Sequence, residues 1–355
     1  MDIVLLGRKL DVRGSTLYAV NLGIQLLARG HSVRMLCGGG QLLPEFERAG
    51  IPVVVFPGLG DSSDLFLTRK LARKVREKPA SLLHVIAPSA AANGASLARA
   101  VGLPYLVSVQ APVDGALPTN ARYLRGVIVS SETVRESLVN HTRLKKDLIR
   151  VILPGADVKR LKESPPFPGE GAPVIAILGP MEPGRGHDTF LDAAKLVLAQ
   201  RADAQFLVVG EGPEEDALRK KTKDLGIQKN VIFSPDPENT YGVLAGIDIL
   251  LMPFQQDGLG NAVIEAMACG KPVIASGLGG VYYVIREEET GLLRPKNDAA
   301  AFADAVLALI RDREKARRIG HAARLHVEQN FNAERMAAET LDAYREALEA
   351  PAANA

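Results

Sequence analysis

Residues 253–276, PFQQDGLGNAVIEAMACGKPVIAS, carry the most information about the fold of this chain. Asp257 precedes a glycine-bearing turn, Gly258-Leu259-Gly260, and a helix is predicted to begin near Asn261, with Glu265 on its second turn. A short apolar strand is predicted to end the segment. A turn of this kind points several backbone N–H groups at one spot on a helix N-terminus, which suits a diphosphate.

Two carboxylates, Asp257 and Glu265, lie eight positions apart on either side of that turn. At this spacing they can accept hydrogen bonds from hydroxyl groups on both sides of a bound diphosphate. A sugar nucleotide has hydroxyl groups on both sides of its diphosphate. An anion site between two hydroxyl-binding carboxylates is therefore suited to it. The alternative is an ordinary helix cap followed by a solvent-facing glutamate.

The string DGLGNAVIEAMACGKPVIA resembles the signature of the retaining GT-B glycosyltransferases of family 4, E-x7-E within EGFGNxxLEAMAxGxPVVA. Asp257 replaces the first glutamate, and Glu265 is the second. The resemblance implies an α/β fold of two tandem Rossmann-like parallel-sheet domains facing a central cleft. It also implies that Glu265 binds the ribose, while Asp257 and the turn Gly258, Leu259, Gly260 and Asn261 hold the donor sugar and the β-phosphate.

A second string, GPMEPGRGHD at residues 179–188, is similar to the family's GRLxxxKGHD, in which an Arg and a Lys hold the diphosphate. Arg185 stands at the Lys position and keeps a permanent charge, whereas Pro180 stands where the Arg is expected. Gly210 and Glu211 begin a turn similar to the family's GxGP, which lies near the nucleotide. A plain strand-to-helix turn also accounts for them.

Two further residues in the first half align with donor-binding positions of the family. Gly14 follows the first strand, where the absence of a Cβ allows a backbone to approach a phosphate. A plain turn glycine before Ser15 as an N-cap is the alternative. Gln110 stands where relatives have a His, and Tyr283 stands where many have a Glu. The string around Gly14 is not G-x-G-x-x-G, which disfavours a nicotinamide dehydrogenase.

Strands alternate with helices in both halves, which predicts parallel sheets covered by helices. The segment 161–173 holds four prolines and two glycines and is predicted to link two domains, 1–160 and 174–335. The resemblance adds a C-terminal helix, about 336–355, that crosses back to the first domain. Predicted strands cover residues 3–6, 32–37, 53–56, 82–86, 105–109, 126–129, 149–152, 174–178, 205–209, 231–233, 249–252 and 273–275.

Charge is distributed unequally along the chain. Residues 1–170 hold 23 Lys+Arg against 14 Asp+Glu, and the remainder holds 20 against 27. Part of the excess lies in residues 65–78, with six basic residues and one acidic. Leu67, Leu71 and Val75 recur there at helical spacing. A solvated amphipathic helix and peripheral contact with an anionic membrane both fit this pattern.

Other function classes find little support in the composition. The chain has two cysteines and no tryptophan, and no His/Cys/Asp cluster has metal-ligand spacing, so we expect no bound metal or cofactor. No apolar run approaches the ~20 residues of a membrane span. We expect a cytoplasmic protein, or one peripheral to the inner face of a membrane, and no nucleic acid as partner.

The resemblance implies a retaining, metal-independent glycosyltransferase with a UDP- or GDP-sugar as donor substrate. The resemblance suggests a role in cell-envelope synthesis. The acceptor is left open among a polysaccharide, a glycolipid (lipid-linked acceptors included) and a small molecule. One alternative is a GT-B-fold protein that binds a nucleotide sugar or a partner with little or no transfer, which the departures Pro180, Gln110 and Tyr283 favour. A nucleotide-sugar epimerase is the third.

Overall fold

A computed structural model describes residues 1–350 except 11–12, 60–63, 114, 162–170, 236–239 and 257–259. The chain divides into two compact units. The first comprises Met1–Gly155 together with the segment from Ala333 onward, and the second comprises Ala156–Asn332. Residues 156–160, predicted to end the first domain, thus belong to the second unit, where a short helix spans Val158–Leu161. Most of the predicted linker 161–173 lies outside the described residues.

The first unit contains a seven-stranded parallel sheet in the order β3-β2-β1-β4-β5-β6-β7. Its central strands are apolar runs that are buried along nearly their whole length, as expected for a parallel sheet with helices on both faces. The strands are β1 Asp2–Leu6, β2 Ser32–Cys37, β3 Val53–Val55, β4 Leu82–Val85, β5 Tyr105–Val109, β6 Leu124–Val129 and β7 Ile149–Val151. The helices are α1 Arg13–Ala28, α2 Leu43–Arg48, α3 Leu65–Glu77, α4 Ala91–Val101, α5 Glu132–His141 and, from the C-terminal segment, α13 Ala333–Glu349.

Helix α13 is part of the core of the first unit. Its apolar residues Met336, Leu341 and Tyr344 pack with residues of β1, β2 and α1. The Tyr344 hydroxyl lies 2.6 Å from Nδ1 of His84 on β4, and the other ring nitrogen lies 2.7 Å from Oγ of Ser108 on β5. Burial lowers the pKa of His84 to about 3, so its imidazole is neutral and these polar partners satisfy it.

The second unit contains a six-stranded parallel sheet in the order β10-β9-β8-β11-β12-β13. The strands are β8 Val174–Leu178, β9 Gln205–Val209, β10 Val231–Ser234, β11 Ile249–Met252, β12 Val273–Ser276 and β13 Leu292–Arg294. The helices are α6 Val158–Leu161, α7 His187–Leu198, α8 Glu215–Asp224, α9 Thr240–Gly246, α10 Asn261–Ala268, α11 Ala299–Arg311 and α12 Arg313–Asn330.

The structure confirms the twelve predicted strands to within about two residues at each end and adds β13. The C-terminal segment forms three helices, α11 to α13, because the backbone leaves the helical region at Asp312 and again at Phe331. Helix α1 begins at Arg13, so Ser15 lies inside the helix and is not its N-cap. Among the described residues, no helix is both long and apolar enough to cross a membrane.

Candidate functional site

The second sheet reverses its winding direction between its two central strands, β8 and β11, because β9 and β10 lie on one side and β12 and β13 on the other. In open parallel sheets, ligands bind outside the carboxyl ends of the strands at such a point. Two loops lie there: residues 179–186 connect β8 to α7, and the segment between β11 and α10 is described at residues 253–256 and 260. These are the two segments in which the sequence predicted diphosphate-binding residues.

The two loops contact each other through their backbones. The amide of Gln255 donates to the carbonyl oxygen of Gly184 at 3.0 Å. At Gly186, where φ is +88°, an added Cβ would lie 2.5 Å from the carbonyl carbon of Pro253 and closer still to its oxygen. Only glycine allows this approach, so Gly186 fixes the start of α7 against the end of β11.

Both helices that begin at these loops have a glycine as N-cap. Gly186 caps α7 and Gly260 caps α10, so neither cap residue has a side chain that could accept from the first amides of its helix. The first N–H groups of an α-helix lack intrahelical partners, and the helix dipole places partial positive charge there. Two such termini on adjoining loops form a region that favours an anion.

Arg185 adds a full positive charge to this region. Its side chain is 39% exposed and lies 3.6 Å from the Glu182 carboxylate. An exposed ion pair of this kind is worth roughly 0–1 kcal/mol, so a phosphate can displace the carboxylate at little cost. The guanidinium then offers paired donors to phosphate oxygens.

Gly210 and Glu211 lie beside the 179–186 loop. The amide of Met181 donates to the carbonyl oxygen of Glu211 at 2.9 Å, and the amide of Gly179 donates to that of Val209, also at 2.9 Å. Gly210 has a φ of +142°, and an added Cβ would overlap the carbonyl oxygen of Gly179. Close packing of the two loops therefore accounts for a glycine at position 210. The Glu211 side chain is exposed.

Glu265 is only 3% exposed on α10 and belongs to a polar group that includes Tyr241 on α9. Burial, and next the Glu265 carboxylate, raise the pKa of Tyr241 well above its usual range, so the phenol stays protonated. The Arg160 guanidinium stands 4.9 Å from the centre of the Tyr241 ring. Buried carboxylates require polar or charged surroundings, and this group supplies them.

In the first unit the winding reverses between β1 and β4, and the predicted residues Gly14 and Gln110 follow β1 and β5. Gly14 lies in the first turn of α1, where an added Cβ would meet no described atom within 4 Å, so packing does not explain it. Nε2 of Gln110 is buried and has no partner among the described residues. Unsatisfied buried donors cost about 1–3 kcal/mol each, which makes this amide a candidate ligand contact.

Asp257, Gly258 and Leu259 lie outside the described residues, so their predicted roles stay predictions. Gly260 and Asn261 are described and form the start of α10. The structure thus brings Arg185, Gly260 and Asn261 to adjoining loops of one sheet edge, with Glu265 one turn further along α10. Among the described residues, no group of three or more His, Cys, Asp or Glu side chains could hold a metal ion.

The chain is similar along most of its length to proteins of known activity. It is 28% identical over 367 residues to the N-acetyl-alpha-D-glucosaminyl L-malate synthase of Bacillus anthracis, covering 95% of each chain. It is also 28% identical to a D-inositol 3-phosphate glycosyltransferase of Nocardia farcinica, covering 95% of this chain and 86% of that one. Anabaena HepE, solved in complex with UDP and glucose, has the same fold, with a TM-score of 0.81 at 20% identity over 96% of this chain and 99% of that one.

Both halves of the chain also match family descriptions. Residues 158–326 match Glycosyl transferases group 1, and residues 12–160 match Glycosyltransferase Family 4. The chain belongs to the family 4 glycosyltransferases of the GT-B fold. The matches meet at residues 158–160, close to the point where the chain leaves its first compact unit at Gly155.

For a family 4 glycosyltransferase, this chain departs from the usual pattern at three positions. Pro180 carries no charge at the position where the family string quoted above leads us to expect an Arg. Gln110 takes the place of a His, and Tyr283, which is 48% exposed, takes the place of a Glu. Gln110 can hydrogen-bond a hydroxyl but cannot become cationic.

Two residues of the second unit that the sequence analysis did not assign to the site have buried polar atoms without described partners. Both ring nitrogens of His187, the first residue of α7, are in this state, and so is Oγ of Ser276 at the end of β12. Burial and the neighbouring Arg185 lower the pKa of His187 to about 4, so its ring is neutral. The residue types alone do not predict this, because it depends on how the loops pack.

Proposed function

We propose that this glycosyltransferase transfers a sugar from a UDP- or GDP-sugar with retention of anomeric configuration, and that the donor diphosphate binds at the carboxyl edge of the second sheet. The observation that carries the proposal is the pair of glycine-capped helix N-termini, at α7 and α10, on loops held together at Gly186 and Pro253. The negative charge of a diphosphate is complementary to the partial positive charge of these two helix N-termini.

The residues around this edge supply distinct interactions in the proposal. Arg185 neutralises charge on the departing phosphate, and the buried Glu265 carboxylate accepts hydrogen bonds from the ribose hydroxyls. Asp257, with the amides of Gly258 to Gly260, holds the donor sugar and the β-phosphate. Transfer of this kind needs little side-chain covalent chemistry. Stabilisation of the leaving phosphate and positioning of the acceptor hydroxyl account for most of the acceleration.

Retention follows in the proposal if the acceptor hydroxyl attacks the face of the anomeric carbon from which the diphosphate leaves. The acceptor proton then passes to a phosphate oxygen of the leaving group. The step needs no metal ion, because Arg185 and the helix termini offset the charge on that group. The family resemblance supports retention, since the family 4 signature quoted above is that of retaining enzymes.

For the acceptor, we propose a hydroxyl compound that carries negative charge. The two relatives described above are named for malate and for inositol 3-phosphate, and both compounds are anionic. The excess of basic residues in positions 1–170 is complementary to such acceptors. A glycolipid or polysaccharide acceptor fits the same charge, and peripheral contact with an anionic membrane would bring a lipid-linked acceptor within reach.

The test is to incubate the protein with UDP-N-acetylglucosamine, UDP-glucose or GDP-mannose together with L-malate, inositol 3-phosphate or phosphatidylinositol vesicles. We expect release of nucleoside diphosphate that depends on one acceptor, and an α-linked product from the α-linked donor, identified by NMR of the anomeric proton. A β-linked product would overturn retention. Absence of release with every pair, together with absence of UDP and GDP binding, would overturn the transferase proposal.

A second candidate is a nucleotide-sugar-binding protein with little transfer activity, which the uncharged Pro180 favours. The Pro180→Arg variant separates the two. Turnover by the natural protein, changed only modestly in the variant, supports the transferase. Turnover that arises only in Pro180→Arg, with nucleotide binding in both, supports the binding protein.

A further inference from the structure

The outer face of α3 carries an exposed stripe that the proposed transfer reaction does not use. We define the α3 stripe as Leu65, Phe66, Arg69, Lys70 and Arg73. Phe66, Arg69, Lys70 and Arg73 follow the spacing i, i+3, i+4, i+7 and so lie along one side of the helix. Phe66 is 74% exposed and Leu65 is 62% exposed. Large apolar side chains this exposed, next to three cations, make an unusual surface for a helix that covers a sheet.

The other face of α3 is fully used in the core of the first unit. Leu67, Leu71, Ala72 and Val75 are buried and pack with β-strand residues beneath them. The apolar positions that the sequence analysis noted at helical spacing are therefore unavailable to a membrane. Any external partner of α3 meets the stripe instead.

Acidic side chains of the described residues neutralise little of the positive charge on the α3 stripe. Arg69 and Lys70 form no ion pair within the described part of the chain. Arg73 lies 3.5 Å from Glu77, but its side chain is 84% exposed, so water and salt screen the pair. The stripe therefore presents positive charge around an exposed aromatic ring at the N-terminal end of the helix.

We propose that the α3 stripe docks the protein on an anionic lipid bilayer, with Phe66 and Leu65 inserted among the headgroups and the three cations on lipid phosphates. Basic residues near such a surface attract anionic lipid, and a ring at the interface adds apolar contact. A nucleic acid would use the cations and stack a base on Phe66, but it would leave the aliphatic Leu65 without a role. The exposed apolar side chains and the three cations together favour a lipid bilayer as the partner.

The chain has no tryptophan, so a Phe66→Trp variant carries a single fluorophore at the proposed insertion point. With vesicles of phosphatidylcholine and phosphatidylglycerol at 7:3, we expect a blue shift of its emission and quenching by brominated lipid. A Leu196→Trp variant, on the surface of α7 in the second unit, serves as the control and should show neither. An unchanged Phe66→Trp spectrum at saturating vesicle would overturn insertion.

Charge is tested by co-sedimentation with the same vesicles. Replacing Arg69, Lys70 and Arg73 by Gln should lower the partition constant about 100-fold, since each basic residue contributes about fivefold. A matched control, Lys195→Gln with Lys220→Gln and Lys223→Gln, should leave it within about twofold. Binding should weaken steeply between 0.05 and 0.5 M salt and be absent with pure phosphatidylcholine.

Two further outcomes would overturn the proposal. Equal loss in the stripe triple and the control triple would show a general charge effect. Tighter binding to single-stranded RNA than to vesicles, abolished by the stripe triple, would assign the stripe to nucleic acid. The experiment uses neither donor nor acceptor, so its failure leaves the proposed transfer reaction unaffected. Thermal unfolding of each variant shows whether it is folded.

Discussion

The close approach at Gly186 gives a direct test of how the two donor-side loops are joined. The perturbation is Gly186→Ala. The residue has a φ of +88°, where an alanine costs roughly 1–2 kcal/mol. Its Cβ would also lie 2.5 Å from the Pro253 carbonyl carbon, so the loops must separate by about 1 Å, at a further cost of about 1–3 kcal/mol.

The control is Gly226→Ala, after α8. There φ is +71° but no described atom lies within 4 Å of an added Cβ, so only the backbone cost applies. At about 3 °C per kcal/mol for a unit of this size, we expect the midpoint of the second unit to fall by about 10 °C for Gly186→Ala and about 4 °C for Gly226→Ala. A Gly→Ala change stabilises both variants equally by lowering the conformational entropy of the unfolded chain. The difference between their midpoints therefore measures the cost of the overlap between the added Cβ at position 186 and Pro253.

The assay is thermal unfolding by circular dichroism or calorimetry, with nucleotide titration on the same samples. Because the Gly186→Ala change displaces the start of α7, nucleotide binding should weaken, whereas Gly226→Ala should not affect it. Equal midpoints for the two variants would refute the argument that the loops are locked at this contact.

Three further outcomes follow from named contacts. Arg185→Ala should weaken nucleotide binding about 30-fold, the value of one charge-assisted hydrogen bond, with Lys195→Ala unchanged in the same titration. Tyr344→Phe leaves a buried imidazole nitrogen unpaired and should lower the free energy of unfolding by about 1–3 kcal/mol, whereas Tyr283→Phe, at an exposed site, should have no effect in chemical denaturation. The folded pKa of His187 is about 4, below its ordinary 6.5, so the unfolded chain binds the proton first. Stability should therefore fall as pH drops from 6.5 to 4, and a His187→Gln variant should lose about 3 kcal/mol of that dependence in denaturant titrations across pH.

Much of the fold could be predicted because its signals are local. Segments such as Val174–Leu178 and Ile249–Met252 are short apolar runs between turn residues, which is how buried parallel strands are recognised. Strand β13 was missed because its apolar run is only Leu292 and Leu293, which Arg294 and Pro295 follow at once.

The site could be predicted only where its chemistry lies within one segment. The turn before Asn261 and the position of Glu265 follow from spacing along a helix. The overlap at Gly186 and the unpaired nitrogens of His187 depend on segments far apart in sequence, so no local pattern indicates them. Phe66 shows the reverse case, since hydrophobicity alone suggests burial, whereas its position one residue before Leu67 places it on the outer face.

The central claim is that a nucleoside diphosphate binds at the carboxyl edge of the second sheet with its ribose on Glu265. Its most direct test is calorimetric titration of UDP and GDP into the natural protein, Glu265→Gln and the exposed control Glu314→Gln. We predict that one nucleotide binds the natural protein and Glu314→Gln equally, and binds Glu265→Gln about 30-fold more weakly while that variant remains folded. Binding of neither nucleotide, or equal binding to all three proteins, would contradict the account.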